Sequence, residues 1–549
     1  MMALWTLATA ALADPHVDVL EGAIARHLTA LHLPDAPRIY HLRYRLFQLE
    51  GVSAEVHAGE VVLSEPFVQN QIGVEVRVGS PSFDNTGFGG WQDGFESASL
   101  PAELTPHALD LAAWRLTDRA YKAAVEHHAR KTAQWTPPAD HPGDYTLTDP
   151  IRDEGAAPTV PDQDALVALA VAASAAVGLH PALLNTSAHL GAEAGTEWIV
   201  DSEGTAVRRA VSEVSLRVAA SVRADDGMLL TDQRLWTASS LKGLPPQDAI
   251  AASAAAMGQD LLARAAHAPL ANEYVGPVRF DGAAAVDLFR ALLVDQVEGT
   301  PSEIPFETWL GDIGEAGAAV RLGRRVLPSG WHVVDDASLR PDMPFAGPYD
   351  AEGRRIEPVT LVEDGIVRDL LMTRTPRNGV DGNGHARGWP GTAPRARVHH
   401  LVVTPPRRAS PRALHLAAVR AAKAYGEDRY LLIRRLEEPA IPPLTDPDRA
   451  GASEVLPRPV DAVWVDARGN QTPVRNLAFA GVVRWVLRDI LAAGADVQST
   501  WMAPFAGDSA TMGPTEGLAT SARVPAIVVG EMELVPLTSD PADKPRILP

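Results

Sequence analysis

The 549-residue sequence has no cysteine. That excludes disulfides, thiolate nucleophiles, iron–sulfur clusters and every zinc site that needs a thiolate. Lysine is almost as scarce. Of 49 basic residues only Lys122, Lys131, Lys242, Lys423 and Lys544 are lysines, and arginine supplies the rest. Acidic residues number 69, for a formal net charge of −20. A surface of that sign repels phosphate backbones and argues against sequence-independent nucleic-acid binding. The longest apolar run beyond the N-terminus, Ala165 to Gly178, is interrupted by Ser174. It falls short of the ~20 residues that cross a bilayer, so it reads as a buried Ala-rich helix and no membrane span is expected.

Common catalytic signatures are missing as well. No Gly-Lys-Ser/Thr follows a glycine-rich loop, and Gly87-Phe-Gly89-Gly-Trp91 lacks the third glycine and the following helix of a dinucleotide fingerprint. Gly507-Asp-Ser509-Ala-Thr511 breaks the nucleophile elbow at its last position. Ser239-Ser-Leu-Lys242 has no accompanying Lys-Thr-Gly. His-Glu-x-x-His is absent. His399 and His400 lie in a strand-like run, 397–403, where neighbouring side chains face opposite ways and cannot chelate one metal together.

What is present divides the chain in two. At the very start, Ala11-Leu12-Ala13 closes a short apolar run and fits a signal-peptide cleavage pattern over residues 1–13. It points to an exported or periplasmic protein beginning at Asp14. No Lys or Arg precedes the run, which leaves a frayed helical turn in a cytoplasmic protein as the alternative.

Residues 14–268 alternate helices and strands and are expected to form an α/β or α+β domain. Helical periodicity marks 17–27, 105–131, 164–178 and 247–266, and strands are expected at 38–48, 54–62, 69–78, 212–223 and 228–237. Gly51, Ala58-Gly59 and Asp226-Gly227 read as turns. From 269 to 549 short β-like stretches dominate: 274–280, 319–326, 332–334, 355–362 and 366–372. Helices there are expected only from Ser410-Pro411 to Ala424 and over 482–493. The fold class expected is α+β, with a β-rich C-terminal domain.

Several phrases of this second half resemble the TldD/PmbA family, metallopeptidases also called modulators of DNA gyrase. They are Tyr274-Val-Gly276-Pro277-Val-Arg-Phe280-Asp-Gly282; Glu357-Pro-Val-Thr-Leu-Val362 before Asp364-Gly365; Leu371-Met-Thr-Arg374-Thr-Pro376-Arg-Asn-Gly379; Asn383-Gly384-His385-Ala386-Arg387; Arg475-Asn-Leu-Ala-Phe479; and Lys544-Pro-Arg-Ile-Leu-Pro549. Upstream, Asp201-Ser-Glu-Gly204-Thr205 resembles a turn of the family's N-terminal domain. The likeness is clear over 190–549 and loose over 17–190. It implies two domains and a dimer, either a homodimer or a metal-free chain paired with a zinc-bearing paralogue, that cleaves unfolded or leader peptides in a closed chamber.

Active members carry His-Glu-x-x-x-His on the helix after the first of these strands, and a third ligand, a cysteine, near the C-terminus. The corresponding phrase here runs Leu288-Phe289-Arg290-Ala291-Leu292-Leu293-Val294-Asp295-Gln296-Val297-Glu298-Gly299. Arg290 stands at the first ligand position, Ala291 at the general base and Asp295 at the second ligand. A guanidinium has no lone pair for a metal, and alanine cannot take a proton from metal-bound water. No catalytic residue and no cofactor is therefore expected, although the family implies zinc. An Arg290–Asp295 ion pair filling the metal pocket and two solvated helix charges remain alternatives.

Asn383, His385, Arg387 and Glu298 are the substrate-side candidates. His385 and Arg387 could contact peptide carbonyls or a carboxylate, or serve a hairpin whose Asn-Gly turn needs φ > 0. Three functions follow. They are a silent subunit acting with a zinc-bearing paralogue in peptide processing, a free-standing peptide-binding homodimer, or a hydrolase with a site rebuilt around His385, His399 and Asp295.

Overall fold

The strand phrase His41-Leu-Arg-Tyr-Arg-Leu-Phe-Gln48 alternates charged or aromatic residues with apolar ones, and a strand sends alternate side chains to opposite faces. In the computed structural model this phrase lies in a sheet with two different coverings. The structure describes residues 14–536 except 89–92, 268–271, 302–321, 378, 390, 438–455, 483 and 503–519, and except the side chains of Asp295, Arg484 and residues 496–502. The expected signal segment 1–13, the 268/269 boundary and the Lys544–Pro549 phrase lie outside the described residues.

The N-terminal half runs α1 (Pro15–Ala30), β1 (Ile39–His57), β2 (Glu60–Ser80), β3 (Phe83–Asp84), β4 (Phe95–Leu100), α2 (Pro106–Gln134), β5 (Arg152–Glu154), α3 (Gln163–Ala176), β6 (Leu183–Asp201), β7 (Ala206–Arg223), β8 (Leu229–Ala238) and α4 (Gln247–Ala265). Its described strands form one sheet in the order β3-β2-β1-β6-β7-β5, with β4 beside β2 and β8 beside β7. All of its pairings are antiparallel except β5 with β7, so this half is α+β.

One face of β1 carries Leu42, Tyr44 and Leu46, which pack with α1 and α2. The same face carries Val52, Ala54 and Val56 further along, which pack with α3 and α4. The opposite face carries Arg43, Arg45, Phe47 and Leu49, turned toward the C-terminal half. There Phe47 and Leu49 meet Val211 and Phe345.

Gly51 lies inside β1 and is not a turn. A Cβ there would sit 2.1 Å from the Ala192 carbonyl of β6, so the glycine permits a close approach of two long strands. The expected turn at Ala58-Gly59 is present, with both residues at positive φ.

The C-terminal half runs β9 (Tyr274–Phe280), α5 (Ala283–Leu293), β10 (His332–Asp335), β11 (Val359–Glu363), β12 (Ile366–Val367), β13 (Ala386–Arg387), β14 (Arg395–Ala396), β15 (His400–Thr404), α6 (Pro411–Ala424), β16 (Arg429–Leu436), β17 (Pro459–Asp466), β18 (Gln471–Val474), β19 (Leu477–Phe479), β20 (Ile490–Met502) and β21 (Thr520–Pro536). The main path is β12-β11-β10-β15-β21-β9-β16-β17-β18, and β13 pairs with β14 separately.

The apolar face of α5 packs with Val278, Phe280, Leu431, Ile433, Ile527 and Val529. The α6 helix packs with Tyr430, Leu432, Val463, Val465 and Val528. Adjacent residues of β16 and β21 thus bury opposite faces of one sheet. The Ser410 hydroxyl accepts from the Ala413 N–H at the start of α6, the cap its sequence announces.

The helix expected over 482–493 is not formed. Residues 484–489 make a 3₁₀ turn, and Ile490 begins β20, paired with Val529 of β21. Ladder pairing with a long apolar strand outweighs the local helical spacing there. The stretches expected at 355–362 and 366–372 shrink to β11 and the two-residue β12. Of 319–326 only residues from 322 are described, and these form turns with one bridge, Arg325 to Ile366.

Charged residues join the two halves. Arg43 bonds to Glu75, to the Tyr145 hydroxyl at 3.1 Å and to Glu352 at 3.3 Å. Arg77 reaches Glu75 at 2.7 Å and Asp84 at 2.8 Å. Arg374 bonds through its side chain to Glu203 and to the Thr146 carbonyl at 3.0 Å, and its backbone N–H donates to Glu352 at 2.7 Å. Its guanidinium lies over the Tyr145 ring, 4.4 Å from the centroid.

Burial alone would raise the Glu75 carboxyl, but Arg43 and Arg77 outweigh it and hold it down to about 2. Because this lies below the ordinary value of 4.5, the contribution of Glu75 is whole above pH 4.5 and is lost as pH falls toward 2. Glu75→Gln leaves two buried guanidiniums short of a counter-charge and should cost about 3–5 kcal/mol at neutral pH. Urea unfolding at pH 7 and pH 3 checks both statements. The variant should also lose less stability than the parent over that range.

Candidate functional site

The α5 helix follows β9 through Gly282 and carries the phrase that would hold the family's zinc. Phe289 is fully buried in the C-terminal core, and Val297 beyond the helix end joins it. Arg290 is buried too, and the ion pair seen from its side chain goes to Asp287, one turn back, at 3.7 Å. The Arg290–Asp287 contact is an i,i+3 pair, and residues three apart share a helix face. The expected Arg290–Asp295 pair falls on a side chain outside the described residues. The backbone of Asp295 belongs to a 3₁₀ turn, Val294–Gln296.

Ala291 packs at the edge of the apolar core. At the positions that the resemblance gives to the first ligand and the base, a buried, ion-paired guanidinium and a methyl group do not fit a zinc ion. Asp287 also lines a cleft of about 1150 Å³ together with Trp236, Asp281, Arg340, Arg434 and Arg435.

The four substrate-side candidates do come together, downstream of α5. Glu298 accepts from the Val398 N–H at 3.2 Å and pairs with Arg397, while its backbone bridges to Leu371. It fastens the leg that leads from β14 to His399. Asn383 works on the backbone: its Oδ1 accepts from the Met372 N–H at 2.8 Å and its Nδ2 donates to the Leu370 carbonyl at 2.7 Å.

Gly384 has φ +77, and a Cβ there would lie 2.2 Å from the Arg355 carbonyl. The positive-φ turn expected of Asn-Gly is carried by this glycine. Arg387 is buried and donates from Nη1 to the Val398 carbonyl at 2.6 Å. Burial pushes its guanidinium down to about 10, against the opposing pull of Asp335.

His385 precedes β13 and His399 precedes β15. The β13–β14 hairpin pairs Ala386 with Ala396, and the Arg397 N–H donates to the His385 carbonyl at 3.0 Å, so the two histidines meet. Their rings stand at 75° with centroids 5.0 Å apart. Between them ends β10, and its last residue, Asp335, is fully buried.

The Asp335 carboxylate accepts from the His399 N–H at 2.9 Å and the His400 N–H at 2.6 Å. Oδ2 also lies 3.2 Å from His385 Nε2 and 3.7 Å from His399 Nδ1. Burial would raise this carboxyl, but the two imidazoles beside it hold it well below the usual carboxylate range. Burial, reinforced by Arg387, pushes the His399 imidazole down to about 3, so it is neutral at pH 7. His400 points the other way and its Nδ1 contacts Ser521 Oγ at 2.7 Å, as alternation along a strand requires.

Sequence reasoning named His385 and His399 but not Asp335. The carboxylate sits fifty residues before His385 on a different strand, at the end of the plain run His332-Val-Val-Asp335. Only the pairing of β10 with β15, which places Asp335 opposite Leu401, brings it to the histidines.

Residues 276–535 match a family model described as the PmbA/TldA metallopeptidase C-terminal domain. No curated protein sequence matches the chain. Three solved structures share the fold over nearly the whole of both chains. TldE from Thermococcus kodakarensis superposes with a TM-score of 0.61 at 13% identity, over 94% of this chain and 100% of its own. A proposed DNA gyrase modulator from Thermotoga maritima gives 0.60 at 13%, over 94% and 99%. One from Bacteroides thetaiotaomicron gives 0.61 at 12%, over 96% and 100%. Identities this low speak for fold alone, but the C-terminal family match agrees with them. Residues 276–535 thus belong to the PmbA/TldA metallopeptidase C-terminal domain family, and the chain as a whole shares the fold of these three structures.

Proposed function

We propose that this chain is a catalytically silent member of its family, acting in peptide or protein processing as a subunit beside a zinc-bearing paralogue. The observation that carries the reading is Arg290, buried and paired with Asp287 at the first ligand position of α5. Ala291 at the base position and a sequence without cysteine agree with it. Each of these removes a different part of metal-assisted hydrolysis: two ligands, and the group that would deprotonate the attacking water. The cleft beside Asp287, lined by both arginines and carboxylates, has room for a peptide strand.

A second reading, hydrolysis at a rebuilt site, draws on the meeting of His385 and His399; the carboxylate beside them is Asp335. Incubation of the purified chain with unfolded casein separates the two. The silent-subunit reading expects no cleavage with or without added zinc, and cleavage only when a family member bearing His-Glu-x-x-x-His is added. Cleavage by the isolated chain in the presence of chelator would overturn it in favour of the rebuilt site.

Export belongs to the same proposal. Asp14 caps α1 by accepting from the His16 N–H at 3.0 Å, and it ties the helix to β6 by accepting from Trp198 Nε1 at 2.8 Å. Removal of residues 1–13 would leave those bonds whole. N-terminal sequencing of the native protein should begin at Asp14, and an intact Met1 would count against export.

A further inference from the structure

We propose that Asp335, His385 and His399 form a binding site for one divalent transition-metal cation of the zinc type, held by Asp335 Oδ2, His385 Nε2 and His399 Nδ1. The silent-subunit reading concerns α5 and is independent of this site.

The geometry of the donor atoms is the first argument. The three atoms lie within 4.8 Å of one another, with Oδ2 3.2 Å and 3.7 Å from the two nitrogens. Zinc takes nitrogen at about 2.0–2.1 Å and carboxylate oxygen at about 2.0–2.2 Å, which in a tetrahedron spaces neighbouring ligands about 3.3 Å apart. Two imidazoles and a carboxylate are also a donor set that suits zinc or ferrous iron rather than calcium or magnesium.

The outward bonds of the ligands are the second argument. His385 Nδ1 stands 3.0 Å from the Asn383 carbonyl and 3.1 Å from Asn383 Oδ1. That Oδ1 is fixed as an acceptor, because it takes the Met372 N–H while Nδ2 serves Leu370. Nδ1 therefore faces acceptors only and must carry the proton, which in a neutral ring leaves Nε2 with its lone pair. A metal-bound histidine is typically oriented in this way, by donating its other N–H to a carbonyl. The Asp335 carboxylate is likewise oriented by two backbone N–H groups.

The third argument is what the site lacks. His385 Nε2 and His399 Nδ1 are buried and make no hydrogen bond among the described residues. A bare lone pair aimed at a carboxylate oxygen from 3.2 Å is repulsive in a dry interior, and a positive charge between the two removes the repulsion. A cation placed there satisfies both orphaned nitrogens and the carboxylate. A second proton on His385 would satisfy only one of them. Arg387 adds positive charge nearby, and Glu298 offsets it.

The test uses the full-length, tag-free chain, stripped with chelator and titrated with zinc chloride and with cobaltous chloride. One equivalent of zinc should bind, and cobalt should show the visible ligand-field absorption of nitrogen and oxygen ligands. His399→Gln and Asp335→Asn should each weaken binding by more than about 100-fold, beyond the roughly 10–100-fold that loss of an outer residue costs. Arg290→Ala should bind as the parent does.

Absence of a saturable equivalent, or binding that survives both ligand substitutions in variants with the parent's circular dichroism, would overturn the site. If the substitutions prevent folding, the cobalt spectrum of the parent decides: octahedral, water-like absorption rejects the proposal. Casein cleavage by the isolated chain would overturn the silent-subunit reading while leaving this site standing, so the two failures are distinguishable.

Discussion

The arrangement depends on burying arginines between two sheets. Removing guanidiniums and carboxylates from water is expensive, and only close pairing with several hydrogen bonds repays the cost. Here Arg43, Arg77 and Arg374 converge on Tyr145, while Glu75, Glu203 and Glu352 supply the counter-charges. A second tie is Asp232 of β8, which receives Arg264 of α4 and Arg435 of β16. Such contacts are directional. They fix how the N-terminal sheet is presented to the loops of the C-terminal half, where apolar contact alone would allow sliding.

Two phrases that looked like separate family marks prove to be one contact. Arg374 from the Leu371–Gly379 phrase bonds to Glu203 of the Asp201–Thr205 turn. That turn is held by Asp201 Oδ1, which accepts from the Glu203 and Thr205 N–H groups. Their persistence in a chain whose α5 carries Arg290 and Ala291 follows from the cost of an unpaired buried charge and needs no catalysis. The Asn383–Arg387 loop reads in the same way, since Asn383 and Gly384 serve the backbone around Leu370, Met372 and Arg355.

Much of this was legible in the sequence, and the limits are physical. The period-two pattern of β1 and the capped helices α2, α3 and α6 follow from local rules. Gly51 misled because a glycine that permits close strand approach and one that makes a turn look alike in one dimension. Residues 482–493 misled because β21 offers β20 a ladder that no local window contains. Arg290 and Ala291 were readable at once, since a local window contains the whole Leu288–Gly299 phrase. Asp335 was not, because its meeting with His385 and His399 is made by β10, β13–β14 and β15 together.

The position of β21 also sets an order of events. It lies in the middle of the C-terminal sheet, parallel to β15 on one side and antiparallel to β9 on the other. During synthesis β9, β10, β15 and β16 all emerge before residues 520–536 exist to join them. The sheet edge that carries Asp335 and His399 then waits, with apolar faces exposed, for a strand made more than a hundred residues later. Long-range closure of this kind is slow and invites aggregation. Closure of this sheet therefore cannot precede the synthesis of β21, however early its other strands are made.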